Sequence, residues 1–182
     1  MIEIRIEPPP DLQAKLQRIA MIPGALEKAA KNAVKRTLRG GKQDASRKIA
    51  QRYTIRAGVV VRTIKIKQGG LNGEMSSRGG INPLKLFRIK PKSRPRKMPA
   101  GGVFVQNVKG QGGYIRRGFL THKGNVVERA GISRYPLRGL GGPSSPGMLG
   151  NPNVGPYIED KMFQRLQINL DHAANAIIGG FF

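Results

Sequence analysis

The chain has no cysteine, no tryptophan and only two histidines, His122 and His172. The lack of cysteine excludes a disulfide scaffold, a thiolate zinc site and a cysteine nucleophile. Two histidines are too few for a metal site that is built from several of them. We therefore expect neither a cofactor nor a metal.

Long hydrophobic runs are also missing. No apolar stretch approaches the roughly 20 residues that a membrane-spanning helix requires. Residues 2–7 alternate apolar and charged side chains, which is unlike the basic and then apolar pattern of a signal peptide. We expect no membrane partner.

Acidic residues are scarce. There are 33 Lys and Arg against 10 Asp and Glu in 182 residues, which gives a formal charge of +23. Residues 45–158 carry 22 Lys and Arg and two acids, Glu74 and Glu128, a net of +20. Ordinary surfaces mix both signs, so this segment favours a surface that faces nucleic acid or the lumen of an oligomer.

Length and patterning predict a single α+β domain over residues 1–182. An N-terminal extension, 1–23, begins with a strand-like alternation at 2–7. In this extension Asp11 is placed to cap a helix over 12–20.

The most regular pattern predicts a long helix over 24–52, in which apolar residues recur at spacings of three and four. Gly40 and Gly41 should weaken or kink it. Its apolar face is mostly alanine, so a neighbouring element should pack against it closely. The next residues, 55–62, fit a short helix that Thr54 caps or a strand through the valines at 59–61, and the pattern does not decide between them.

The region 63–130 reads as a small antiparallel sheet. Gly69-Gly70 and Asn72-Gly73 are typical of turns, and 109–113 should link a hairpin. The predicted strands cover 63–67, 74–78, 84–89, 103–108, 114–121 and 126–129.

Two segments rich in proline and glycine, 88–101 and 138–156, are predicted to be extended arms that reach neighbouring subunits. The second lies in a long loop over 133–156. The first belongs to a run of seven cations without an anion, which we take as candidate contacts to DNA or to an acidic partner. They are Lys85, Arg88, Lys90, Lys92, Arg94, Arg96 and Lys97.

The C-terminal pattern predicts an amphipathic helix over 156–178. Ile158, Met162, Leu166 and Leu170 form a stripe at spacings of four. The residues that should widen this stripe are Phe163, Ala173, Ala174 and Ile177. Together with the stripe, Phe181 and Phe182 are candidate core or subunit contacts.

Support for catalysis is weak. A phosphate-binding GxxxxGK motif fails because Gly41-Lys42 would need a glycine where Arg36 stands. Glu159 and Asp160 are adjacent, so on a helix they point to different faces and fit its first turn better than an acid–base pair. His122 has no nucleophile or carboxylate placed with it. We expect no enzymatic activity.

Specific base recognition also lacks support. Most aromatic residues of the basic segment fall in strand patterns, where core packing is the better interpretation, and no recognition helix is visible. The sequence therefore favours electrostatic contact with double-stranded DNA that does not depend on base sequence.

The order of short motifs resembles the minor tail protein Z family of tailed bacteriophages and prophages, also called tail-completion proteins. The resemblance covers roughly residues 24–178 and is most specific from 118 to 137. The motifs are YTIR at 53–56, NPLKLF at 82–87, GGVFV at 101–105, GFL at 118–120, VERAG at 127–131 and RYPL at 134–137.

This resemblance implies a structural virion protein at the head-proximal end of the tail. Such proteins complete the tail and join it to the head, beside other tail and neck proteins. Relatives in the neck form closed rings, usually hexamers, around the DNA channel. A hexamer would carry 6 × 23 = +138 formal charges, which a nearby polyanion would make tolerable.

Two other classes remain open. A basic RNA-binding protein of ribosomal type would share the charge, the small size and the arms. A nuclease that acts during DNA packaging or entry is the third class.

Overall fold

The computed structural model of the chain describes residues 2–6 and 24–178. The predicted helix over 12–20 lies outside these residues, as do Phe181 and Phe182. The predicted α+β class is confirmed, with a long N-terminal helix, a C-terminal helix and small antiparallel sheets.

In chain order, the elements of the described residues are the following. They are β1 (Ile2–Ile6), α1 (Ala25–Arg52), α2 (Ala57–Thr63), β2 (Ile64–Gly69), β3 (Asn72–Ser77), β4 (Asn82–Pro83), a 3-10 turn (Leu84–Leu86), β5 (Arg88–Lys90), β6 (Val103–Val108), β7 (Gln111–Ile115), β8 (Phe119–Leu120), β9 (Val126–Arg129), β10 (Leu137–Gly139), β11 (Gly141–Gly142), α3 (Ser145–Leu149) and α4 (Gly155–Ile178).

The chain divides into two compact units. Unit 1 comprises the described parts of Met1–Ala45, Ile64–Arg78 and Leu149–Phe182. Unit 2 comprises Ser46–Thr63 and Gly79–Met148.

In unit 1, helix α1 continues through Gly40 and Gly41 without a break, and α4 approaches it closely at Gly41. A Cβ atom on Gly41 would lie 2.6 Å from Met162 Cγ and Sδ. One turn away, Asn169 Nδ2 donates a hydrogen bond to Thr37 Oγ1 at 2.9 Å. Helix α4 thus packs closely on α1 at Thr37 and Gly41.

The sheet of unit 1 has the order β1-β3-β2, with both pairs antiparallel. The β2–β3 turn lies at Gly70 and Leu71, between the paired residues Gly69 and Asn72. The prediction of a turn at Asn72-Gly73 is wrong. Gly73 lies in the central strand, where a Cβ would come within 2.6 Å of Leu38 Cδ1, so the glycine lets the sheet approach α1.

The C-terminal stripe is confirmed as core: Ile158, Met162, Leu166 and Leu170 are all buried. Ile177 is buried as well. Phe163 does not widen the stripe, because its side chain is 43% exposed on the outer face of α4.

Unit 2 contains three small antiparallel sheets within the described residues, with the orders β5-β6-β7, β10-β9-β8 and β11-β4. Residues 57–63 form a helix, which settles the open choice between helix and strand. The core cluster of this unit consists of Leu84, Ile89, Val103, Val105, Leu120 and Val126.

Three predicted boundaries in unit 2 are wrong. The strand expected at 84–89 is a 3-10 turn followed by β5, so that Leu84, Phe87 and Ile89 can all be buried. The hairpin of β6 and β7 turns over two residues, Lys109 and Gly110, instead of five. The strand expected at 114–121 ends at Ile115 and resumes as β8.

The two predicted arms also differ from expectation. Arg88–Lys90 is strand β5, and Met98 packs against the core cluster of unit 2, so the segment 91–102 is anchored at its own unit. The prediction of a long loop over 133–156 is wrong. It contains β10, β11, α3 and the first two residues of α4, with Met148 fully buried.

Candidate nucleic-acid interface

The positive charge is concentrated in unit 2. The sequence of this unit holds 19 Lys and Arg and one acid, Glu128, a net of +18. Unit 1 holds 14 Lys and Arg and nine acids, a net of +5. Glu128 is itself engaged, because its Oε1 lies 3.9 Å from Arg138 Nε.

All seven cations of the predicted basic run are exposed side chains of unit 2. On β5, Arg88 and Lys90 share the outer face while Ile89 points into the core. The run does not form one surface. Five of its members line two separate cavities, and Lys90 and Lys97 line neither.

The first cavity has a volume of about 950 Å³, and we call it the arginine cavity. Its apolar floor includes Met98, Phe119 and Leu120. Its five arginines are Arg94, Arg96, Arg117, Arg129 and Arg134.

The fold brings these arginines together from four segments. Arg94 and Arg96 lie in the segment that Met98 anchors to the core. Arg129 ends β9, whose pairing with β8 and β10 places it beside the short segment with Arg117 and the loop with Arg134. That loop is closed at its base by a hydrogen bond from Ala130 N to Pro136 O at 3.0 Å.

The same loop presents two large apolar side chains at the cavity. Ile132 is fully exposed, and Tyr135 is 65% exposed. The Arg134 guanidinium lies over the Tyr135 ring, with Cζ 5.8 Å from the ring centroid. The expectation that the aromatics serve in the core is thus wrong for Tyr135, and also for Tyr114, which is 66% exposed. It holds for Tyr53 and Phe87, which are buried.

The second cavity has a volume of about 1050 Å³, and we call it the lysine cavity. Its cations are Arg56, Lys85, Arg88, Lys92 and Lys109.

Thr54 holds the walls of the lysine cavity in place. Its Oγ1 accepts a hydrogen bond from Arg88 N at 3.0 Å and donates one to Gln106 O. Its amide donates to Asn107 O at 2.9 Å. The predicted role of Thr54 as a helix cap is wrong, because these bonds tie it to β5 and β6 and α2 begins only at Ala57.

No carboxylate is among the residues that line either cavity. Within residues 2–6 and 24–178, none of the five arginines of the arginine cavity has a carboxylate within ion-pair distance. Unpaired like charges that face one open space raise its electrostatic potential. Both cavities are therefore suited to hold a polyanion.

The residues around the cavities do not assemble a recognisable catalytic group. His122 lines the arginine cavity as an exposed side chain, and the lining contains no carboxylate that could orient it. In the part of the chain that the structure describes, no group of three or more His, Asp and Glu side chains is arranged to hold a metal ion.

Sequence reasoning found the basic run but missed the cations that complete each cavity. Arg56 and Lys109 join the lysine cavity, and Arg117, Arg129 and Arg134 join the arginine cavity. These residues are far apart in sequence and show no common pattern. Three of them lie in motifs that carry the family resemblance, Arg56 in YTIR, Arg129 in VERAG and Arg134 in RYPL, but the motifs do not show that their cations line cavities.

No family model, no curated protein and no solved structure matches this chain. Among the described helices, none has the length and apolar character that crossing a lipid bilayer demands.

Proposed function

We propose that the protein is a non-enzymatic structural component of a phage virion, at the head-proximal end of the tail, and that unit 2 contacts double-stranded DNA there. The observation that carries the proposal is the +18 unit with two cation-lined cavities and no carboxylate in either lining. The resemblance to tail-completion proteins supports the location.

The contact with duplex DNA is through its phosphates. Such binding does not depend on base sequence and weakens with salt, by about 0.9 log units per contacted phosphate for each tenfold rise in salt. Affinity should therefore be alike on duplexes of unrelated sequence and fall steeply between about 50 and 200 mM salt.

A charge-matched pair of variants tests this. The first replaces Arg56, Lys85, Arg88 and Lys92 of the lysine cavity with Gln. The control replaces four exposed cations of α1 in unit 1, Lys28, Lys35, Arg36 and Arg39.

Both variants lose four charges, but only the first should lower the salt slope, by up to about 3.6 if each cation contacts one phosphate. Equal effects of the two variants would mean that only overall charge matters, which would contradict an interface in unit 2. Thermal unfolding should change little in either variant, since surface substitutions rarely cost more than about 0.5 kcal/mol.

We further propose that the protein assembles into a closed homo-oligomeric ring, with a hexamer as the expected form. A ring around a channel would present its cations to the DNA that passes through, which offsets the repulsion among subunits. Electron microscopy of phage particles should detect the protein as a ring in the neck. A strictly monomeric protein that is absent from virions would rule out the proposal.

The alternative, a basic RNA-binding protein of ribosomal type, is favoured by one observation. The exposed Tyr135 ring beside Arg134 is the kind of surface on which an unpaired RNA base stacks. Binding of a folded RNA and of a duplex DNA, compared at one salt concentration, separates the two functions. A large preference for the folded RNA would favour the alternative.

A further inference from the structure

The two cavities differ in a way that charge alone does not explain. All five cations of the arginine cavity are arginines, whereas three of the five in the lysine cavity are lysines. The arginine cavity also has an exposed tyrosine, Tyr135, and a fully exposed isoleucine, Ile132. The aromatic residue of the lysine cavity, Phe87, is buried.

An exposed aromatic ring has little use in binding an intact duplex, whose base faces are covered by their neighbours. The ring is suited to an unpaired base, because any of the bases can stack on it. Arginine adds to this arrangement, because its planar guanidinium binds phosphate through two hydrogen bonds and also stacks on flat rings. In this cavity, Arg134 already lies over Tyr135, and much of the ring remains open to a base.

We propose that the arginine cavity binds an unpaired segment of nucleic acid. One base stacks on Tyr135, and the flanking phosphates bind the arginines that surround it. The lysine cavity, by contrast, binds duplex phosphates only. The inference rests on the proposed function solely in taking nucleic acid as the partner of unit 2.

The test compares three variants of the full chain on labelled oligonucleotides at a fixed salt concentration of about 100 mM. Tyr135→Ala removes the ring, and Tyr135→Phe keeps it while removing the hydroxyl. Tyr114→Ala is the matched control, because Tyr114 is as exposed as Tyr135 and lies in unit 2 but lines neither cavity. Each is measured by fluorescence anisotropy with oligo(dT), oligo(U) and a DNA duplex of the same length.

We expect Tyr135→Ala to raise the dissociation constant of the single strand by at least about fivefold. This is the smallest loss of affinity that is typical when an alanine substitution removes the ring on which one base stacks. Tyr135→Phe and Tyr114→Ala should stay within about twofold of the parent chain. Duplex binding should change little in all three. Comparison of oligo(dT) with oligo(U) then tells whether the unpaired strand is DNA or RNA.

Two outcomes would overturn the inference while the proposed function stands. One is that Tyr135→Ala and Tyr114→Ala bind the single strand equally well, with duplex binding and its salt slope intact. The other is that polyglutamate displaces oligo(dT) as effectively as unlabelled oligo(dT) of equal charge, which would mean that the cavity recognises charge alone. If the parent chain bound no nucleic acid, the proposed function would fail as well.

Discussion

Two adjacent glycines of helix α1 should respond in opposite ways to the same substitution. Glycine inside a helix costs about 0.5–1 kcal/mol relative to alanine, so replacing either with alanine gains that amount if the new methyl group fits. The space around the two Cβ positions is different. At Gly40 the nearest atoms are Arg165 Cδ and Nη1 at 3.0 Å, and at Gly41 they are Met162 Cγ and Sδ at 2.6 Å.

The difference lies in whether the neighbour can move. Arg165 is a long, partly exposed side chain, and its Cδ and Nη1 need to shift by only a few tenths of an ångström. Its two hydrogen bonds to the Asp44 carboxylate, at 2.7 and 3.2 Å, can adjust by that much. Met162 is fully buried between α4 and α1, and its Cγ lies near the backbone, so it cannot withdraw. Overpacking of this kind costs about 1–3 kcal/mol.

The expected net result for Gly41→Ala is a loss of up to about 2.5 kcal/mol, with a middle value near 1 kcal/mol, which for a chain of this length lowers the melting temperature by roughly 2–4 °C per kcal/mol. Gly40→Ala should be neutral or slightly stabilising. Circular dichroism at 222 nm during thermal unfolding measures both. Gly41→Ala should become neutral or favourable in a Met162→Ala background, because the clashing atoms are then absent.

The result that would refute this account is a Gly41→Ala variant as stable as Gly40→Ala. The close approach of α4 to α1 at Gly41 would then be incorrect. A destabilisation that persists unchanged in the Met162→Ala background would show that some other contact is responsible.

Two further predictions concern unit 1. Because Leu166 is buried, Leu166→Ala should lower the free energy of unfolding by about 2–5 kcal/mol and Leu166→Asp should prevent folding. Phe163→Asp, on the exposed face of α4, should be tolerated. Circular dichroism and thermal unfolding check all three variants, and a folded Leu166→Asp chain would contradict the packing of α4. The hydrogen bond and charge of Lys31 hold the pKa of Glu27 below its ordinary value of 4.5, so Glu27 should favour folding above that pH and lose this contribution as the pH falls through its lowered pKa. NMR titration should show the pKa of Glu27 returning toward the ordinary value in Lys31→Gln, and an unchanged pKa would contradict the pairing.

The helices could be predicted from sequence because their signals are local. The stripe of Ile158, Met162, Leu166 and Leu170 repeats at the helical period, and the structure buries all four. The sequence predicted a weakened or kinked helix at Gly40 and Gly41, yet α1 continues through both, and the reason is physical. Propensity marks both as helix breakers, but helix α4 packs so closely on α1 that glycine is needed at Gly41, and this packing outweighs about 1 kcal/mol of propensity.

The sheets and the cavities could be predicted only in part, because they depend on contacts between distant residues. The pair Asn72-Gly73 predicts a turn, yet Gly73 lies in a central strand that packs against α1. The basic run at 85–97 was visible as a block of charge. The way it splits between two cavities depends on the anchoring of Met98 and on the bonds of Thr54, neither of which has a sequence signal.

Salt should have opposite effects on the stability of unit 2 and on its affinity for DNA. A unit with 19 cations and one acid repels itself, so dissolved ions that screen the charges stabilise its fold. The same ions should weaken the phosphate contacts that we propose for this unit. We therefore expect that a loss of DNA binding between about 50 and 200 mM salt does not arise from unfolding of unit 2, because screening of its like charges should stabilise the fold over that range. At low salt a bound polyanion would provide the neutralisation that dissolved ions provide at high salt. The charge that opposes folding of the free unit is thus the charge that favours its complex with a polyanion.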